Sequence, residues 1–316
     1  MLQFQAEKRL KRSVLSRTAR ALFLALLLAG LNRANAQDYA ARFKQLREQK
    51  AEPAQIDASL DEWREKNPDD PEAWITSANY YFNESVGPTV STQPPGKGDY
   101  GLSDKKTGKK AGSISFKPNV AKTSRSANDI LQEATTKFPD RLDIWCGLTW
   151  MHQEGGDFDG ELATLKKMVA YVHEHPTKLK WLKGEPIDES SDRFVPEKLH
   201  GYAMYYEKKE NPEDDQRFLK IAMYSAEQFP NHPYAFNDVA VYYSVNHDFA
   251  KTREWLEKAH QIDPKDGLVT YNLGYVSEQL HDQGAARRWY EEALKIEPNG
   301  EHAKKARQAL AKLKKK

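Results

Sequence analysis

The 316-residue chain carries 48 Lys and Arg against 46 Asp and Glu, with a mean hydropathy of −0.82. It is polar, nearly neutral, and long enough for a large core or one long array of stacked helices. Its single cysteine, Cys146, excludes an internal disulfide framework, a cysteine-based zinc site and a CxxC redox pair.

The first 36 residues read as a secretory signal. A basic segment (Lys8, Arg9, Lys11, Arg12, Arg17, Arg20) precedes the apolar run at 21–31, and Ala34-Asn35-Ala36 supplies a small-x-small cleavage site before Gln37. This predicts a periplasmic or secreted protein, with no integral membrane segment once the signal is removed. Residues 37–316 hold 41 basic and 45 acidic side chains, a net of −4, which argues against a nucleic-acid partner.

Residues 38–68 predict two helices, the first marked by Tyr39, Phe43 and Leu46 and the second by Ile56, Leu60 and Trp63, with Pro53 at its start. The next helix carries Trp74, Ala78 and Tyr81, yet its partner comes only at 126–138. The intervening insertion, 85–124, alternates around Tyr100–Leu102 and Ile114–Phe116. That predicts a β-hairpin near 95–117. Lys105, Lys106, Lys109 and Lys110 cluster at its tip, as a solvated turn or as a contact for an acidic partner. A third helix pair starts at Leu142 (Trp145, Leu148, then Phe158, Leu165) and is followed by about 20 extra residues around 178–198. A fourth has Tyr202, Tyr205 and Tyr206 on one helix and Phe218, Ala222 and Ser225 on the next. Residues 299–316 carry a narrow apolar stripe (Ala303, Ala306, Leu310, Leu313) and predict a capping helix. The expected organisation is therefore a signal at 1–36, N-terminal repeats at 37–139, a third repeat with an extra segment at 140–198, C-terminal repeats at 199–298, and the cap.

Periodicity ties these pairs together. Pro230, Pro264 and Pro298 stand 34 residues apart. A small or apolar residue precedes each such proline by five positions, as at Trp63, Ala134, Ser225 and Ala259. Gly274, Ala286 and Ala293 fall where two helices would cross closely, and Gly284 reads as the break between them. The stretch 264–298 resembles the tetratricopeptide repeat, a helix–turn–helix unit of this length. The resemblance extends over 233–298 and, upstream, over 71–84 with 126–170, 38–68 and 199–230. It implies an all-α fold, a right-handed α-solenoid of about six helix hairpins carrying the β-hairpin-like insertion. It also implies a concave groove, lined by the first helix of each pair, that binds a protein or peptide. In the family register the groove positions are Ile75, Asn79 and Phe82; Cys146, Trp150 and Gln153; Tyr234, Asn237, Val241 and Ser244; and Leu268, Tyr271, Tyr275 and Glu278. Tyr271, Tyr275 and Trp150 are the leading anchors, although a Tyr or Trp at helical spacing also serves as packing. Members that hold a terminal carboxylate use an Asn/Lys/Arg set. Here Asn79 and Asn237 remain without the basic residues, so that specificity is not implied.

No nucleophile elbow, phosphate loop, dinucleotide fingerprint or HExxH is present. His173 and His175 are the one close histidine pair, and a spacing of two puts them on different sides of a helix. His200, His232, His247, His260, His281 and His302 are scattered and read as surface or turn residues, and Cys146 as a small packing residue. The sequence predicts no catalytic, cofactor or metal residues. The leading function is an exported binding scaffold. The alternatives are a metal-dependent or hydrolytic envelope enzyme using the insertion and His173/His175, and an envelope-structural protein contacting anionic surface polymers.

Overall fold

The computed structural model describes residues 38–95, 100–105, 107–118, 126–207 and 212–313. The signal segment with Ala36, and Lys106, lie outside the described residues. The chain forms two compact units, one of residues up to Gly87 with Pro118–Phe138, the other of Pro88–Lys117 with residues from Pro139 onward.

The first unit holds α1 (residues 38–48), α2 (Pro53–Lys66), α3 (Pro71–Ser85) and α4 (Ala127–Lys137). Leu60, Trp63, Trp74, Ala78, Tyr81, Leu131 and Ala134 are buried in it. Tyr39 stacks on Trp63 at 6.3 Å, and the Trp63 indole donates to Asp70, the residue that caps α3. The two helices α3 and α4 pack as one hairpin although 41 residues, 86–126, separate them.

Most of that insertion belongs to the second unit. The expected hairpin is present as β2 (Tyr100–Ser103) and β3 (Lys110–Pro118), antiparallel, with Tyr100 opposite Ile114 and a bulge after Leu102. The structure adds a strand that the sequence did not suggest, β1 (Val86–Ser91), and the order is β1–β3–β2. Gly87 and Pro88 disguise β1, since both residue types read as strand breakers, yet a proline is tolerated on an edge strand.

The helical part of the second unit runs α5 (Leu142–Gly155), α6 (Phe158–Glu174), α7 (Ser191–Glu207), α8 (Pro212–Gln228), α9 (Pro233–Val245), α10 (Phe249–Ile262), α11 (Gly267–Gln279), α12 (Gln283–Ile296) and α13 (Glu301–Leu313). Each successive pair packs as a hairpin, and α13 covers α11 and α12. Counted over the described residues, the two units supply six hairpins and a terminal cap. The fourth repeat starts earlier than the sequence boundary at 199. Its first helix begins at Ser191, so the last part of the extra segment around 178–198 is helical. Pro196 hides that start: near a helix N-terminus it forfeits one intrahelical bond, and here it is buried. Between α6 and α7 the extra residues form a two-strand clip, β4 (Lys180–Trp181) with β5 (Glu185–Pro186).

Local chemistry explains the repeat. In the tight turn of three hairpins a left-handed residue is followed by an aspartate cap. Gly156, His247 and His281 have φ of 74°, 59° and 60°. The next residues, Asp157, Asp248 and Asp282, accept from Gly160, Lys251 and Ala285 backbone N–H at 3.0, 3.1 and 2.8 Å. The break before α12 is therefore made by His281 and Asp282; Gly284 lies inside the helix. At the far end of the hairpins, the residue before the proline donates the last helical bond: Asn67 to Trp63, Phe138 to Ala134, Phe229 to Ser225, Asp263 to Ala259, Glu297 to Ala293. The proline then cannot continue the ladder. That is the physical content of the five-residue spacing seen in the sequence.

Candidate functional site

The predicted groove residues divide between the two units. Asn79 is exposed and Phe82 is buried, both on α3 of the first unit. The rest lie in the second unit, and the structure brings part of them together.

On α9, Asn237, Val241 and Ser244 line one side of a 140 Å³ pocket. Asn272 and Tyr275 from α11 line the other, and Thr252 and Leu256 from α10 close its floor. The helices α9 and α11 are held at this point by a side-chain bond, Asn272 Nδ2 donating to Asn237 Oδ1 at 3.0 Å. Asn237 is buried by that arrangement, while Tyr275 is 39% exposed. Asn272 escaped the sequence reading. It stands 35 residues after Asn237, so the repeat places the two amides on neighbouring first helices, which is the signal that would have found it.

Several predicted positions serve the interior instead. Gln153 is buried and donates to Glu161 Oε1 at 2.7 Å and to the Tyr202 carbonyl at 3.3 Å. Glu161, itself fully buried, also accepts from the Tyr206 hydroxyl. Burial with that bond pushes the Tyr206 phenol far up. Tyr271 is half-buried: its ring lies 5.6 Å from Tyr290 and 6.0 Å from His302, and it packs with Leu294, Ala309 and Leu310 against the α12–α13 core. Glu278 accepts from Tyr290 Oη at 3.2 Å. Helical register directs both residues toward the groove, but the elements that follow in the chain supply their partners. Trp150, at 43%, and Tyr234, at 38%, do remain exposed. Cys146 is buried and its thiol is pushed up to about 11, chiefly by burial.

The histidines are not all peripheral. His200 Nδ1 on α7 lies 2.9 Å from both Asp238 carboxylate oxygens on α9. The hydrogen bond to Asp238 raises the imidazole, and burial raises the Asp238 carboxyl against the pull of His200. His173 and His175 go to different neighbours: His173 lies beside Phe229, and His175 stacks on Tyr171 at 4.4 Å. Among the described residues, no three of His, Cys, Asp or Glu are grouped as a metal ion would need, and no helix is long and apolar enough to cross a membrane.

Lys105, Lys109 and Lys110 are exposed around the β2–β3 turn. Asp104 closes that turn, accepting from Thr107 N at 2.7 Å and Thr107 Oγ1 at 2.8 Å, with Gly108 at φ 66°.

No family model and no curated protein matches the chain. Among solved structures it is similar to the TPR domain of Sgt2 from Aspergillus fumigatus, at 20% identity over 38% of this chain and 77% of that one, with a TM-score of 0.34. It is also similar to YrrB, a TPR protein with an unusual peptide-binding site, at 12% identity over 79% and 97%, TM-score 0.39. A third is PilW, a type IV pilus biogenesis factor, at 12% identity over 85% and 97%, TM-score 0.39. The chain's own geometry carries the fold assignment: paired helices recur with the same aspartate-capped turn and the same proline exit. It is a protein of tetratricopeptide-like helix hairpins.

Proposed function

We propose that the chain is an exported binding scaffold that takes an extended peptide or protein segment along the first helices of its C-terminal repeats. The observation that supports this is the Asn237–Asn272 bridge beside the pocket framed by Val241, Ser244 and Tyr275. An asparagine amide both donates and accepts, so it matches a peptide bond. A half-exposed tyrosine adds amphipathic area at low entropic cost, which is how interfaces gain their anchors. A pocket of 140 Å³ is near the ~150 Å³ that admits benzene, and so suits one medium apolar side chain. Trp150 is a further exposed aromatic on a first helix of the same unit.

The test is selection from a displayed peptide library, followed by affinity measurement on the chosen peptide. Tyr275→Ala is expected to weaken it by about 2 kcal/mol, roughly thirtyfold, and Asn272→Ala to weaken it as well. Unchanged affinity in both variants would remove this surface from the reading. Export is supported by the basic, apolar and small-residue order of residues 1–36. N-terminal sequencing of the cellular protein should begin at Gln37, and recovery of Met1 on all of it would contradict cleavage after Ala36.

A further inference from the structure

The three-stranded sheet presents an apolar face that no function above uses. In β2 and β3 alternate side chains share a face. Tyr100 stands opposite Ile114, and Leu102 opposite Gly112, so Tyr100, Leu102, Ile114 and Phe116 all lie on one side. The other side carries Gly101, Ser113 and Ser115, with Ser113 buried and Pro95 lying over Gly101. The apolar side is open: Tyr100 is 67% and Phe116 57% exposed, and their rings meet edge to face at 6.1 Å. A contiguous exposed apolar patch with a polar rim is the mark of an interaction surface.

Charge points to its partner. Residues 86–124 contain seven lysines against two aspartates, while the remainder of 37–316 has 34 basic and 43 acidic side chains. Of the lysines, Lys105, Lys109 and Lys110 stand exposed at the turn, one strand length from the aromatic pair. None of the three makes an ion pair among the described residues. Asp104, the acid at this turn, is engaged with Thr107. A strip of tyrosine, phenylalanine, leucine and isoleucine that ends in lysines combines the two signals of interfacial membrane binding: apolar burial at the headgroup boundary, and attraction to anionic lipid. We propose that the β2–β3 sheet docks the protein on an anionic lipid surface, with the Tyr100/Leu102/Ile114/Phe116 face entering the headgroup region and Lys105, Lys109 and Lys110 contacting lipid phosphates. The peptide-binding pocket uses different residues, so either proposal stands without the other.

The experiment is co-sedimentation of the full chain with vesicles of phosphatidylglycerol in phosphatidylcholine, against phosphatidylcholine alone. Wild type should bind the anionic vesicles and lose binding as salt rises. Lys105→Gln/Lys109→Gln/Lys110→Gln should weaken binding by on the order of a hundredfold, at about fivefold per lysine. Tyr100→Ser/Phe116→Ser should weaken it at least tenfold. A face-resolved readout does not depend on those variants folding. A polarity-sensitive dye on Ile114→Cys should shift to the blue on anionic vesicles, while the same dye on Ser115→Cys should not. The native thiol, Cys146, is buried and does not compete for the dye. Equal binding to both vesicle types, a dye shift on neither or both faces, or loss with the lysines alone together with equal retention on polyglutamate would overturn the proposal. The last outcome would assign the lysines to an acidic protein or polymer.

Discussion

The ring of Tyr290 occupies the space that a side chain on Gly274 would need: a Cβ built there stands 2.5 Å from Tyr290 Cδ1. Helices α11 and α12 cross at this point with Tyr290 fully buried against the glycine backbone. Gly274→Ala should therefore destabilise by about 1–3 kcal/mol through overpacking, even though alanine is the better helix former. Gly201, in α7, has open space where a Cβ would stand, with no neighbouring side chain within 4 Å, and Gly201→Ala should stabilise by about 0.5–1 kcal/mol. Urea denaturation of the two variants reads the opposite signs directly.

His281 adopts φ 60° at the turn between α11 and α12, and His247 adopts φ 59° at the same turn one repeat earlier. A side chain there costs about 1–2 kcal/mol relative to a right-handed conformation, and glycine relieves it. The relief is partly offset by the wider freedom of glycine in the unfolded chain. His281→Gly should raise stability by up to about 1 kcal/mol, and His281→Val should lower it. Thermal unfolding midpoints of both variants provide the check.

The His200–Asp238 pair makes a pH prediction. The imidazole's folded-state value lies above its ordinary one because of its hydrogen bond to Asp238. Such a group binds more protons folded than unfolded, so its contribution is complete below the usual histidine value of about 6.5 and disappears as pH rises through the raised value. With the side chain 41% exposed, screening limits the effect to about 0.5 kcal/mol. The stability difference between wild type and His200→Gln should be positive near pH 6 and shrink toward pH 8. A difference that grows with pH would mean the pair is read with the wrong sign.

Inside the second unit, the Tyr206 hydroxyl and the Gln153 amide both donate to the buried Glu161 carboxylate. Tyr206→Phe removes one donor and should cost about 1–3 kcal/mol, the usual range for leaving a buried acceptor short of a partner. Gln153→Leu should cost a similar amount. In a double-mutant cycle the two should be coupled, because both losses fall on one carboxylate. Additive losses would show that each side chain acts through something other than Glu161.

Much of the architecture could be read from residues that control helix ends. The prolines at 230, 264 and 298 and the small residues at 259 and 293 were read as repeat signals, while the aspartate caps at 248 and 282 were passed over in favour of Gly284 as the break. The strand β1 and the early start of α7 were hidden by Pro88 and Pro196. Pro88 lies on an edge strand, where its missing N–H costs little, and Pro196 lies inside α7, where the helix forgoes one bond, so residue type alone misleads. The candidate site was less legible for a different reason. Helical register gives the direction of a side chain but not what the neighbouring element offers it. Gln153 met Glu161 from the next helix, Asn237 met Asn272 from the next repeat, and Tyr271 met the terminal helix.

The hairpin of α3 and α4 differs from its fellows in how it must be made. Elsewhere a first helix finds its partner after two to four residues, as from Gly155 to Phe158 or from Val245 to Phe249. Here α3 waits for 41 residues to pass before α4 arrives. Joining the ends of so long a segment costs roughly 2 kcal/mol more in chain entropy than closing a three-residue turn. During synthesis at about 5–20 residues per second, α1–α3 therefore spend several seconds with an uncovered apolar flank, a window in which a chaperone has something to hold.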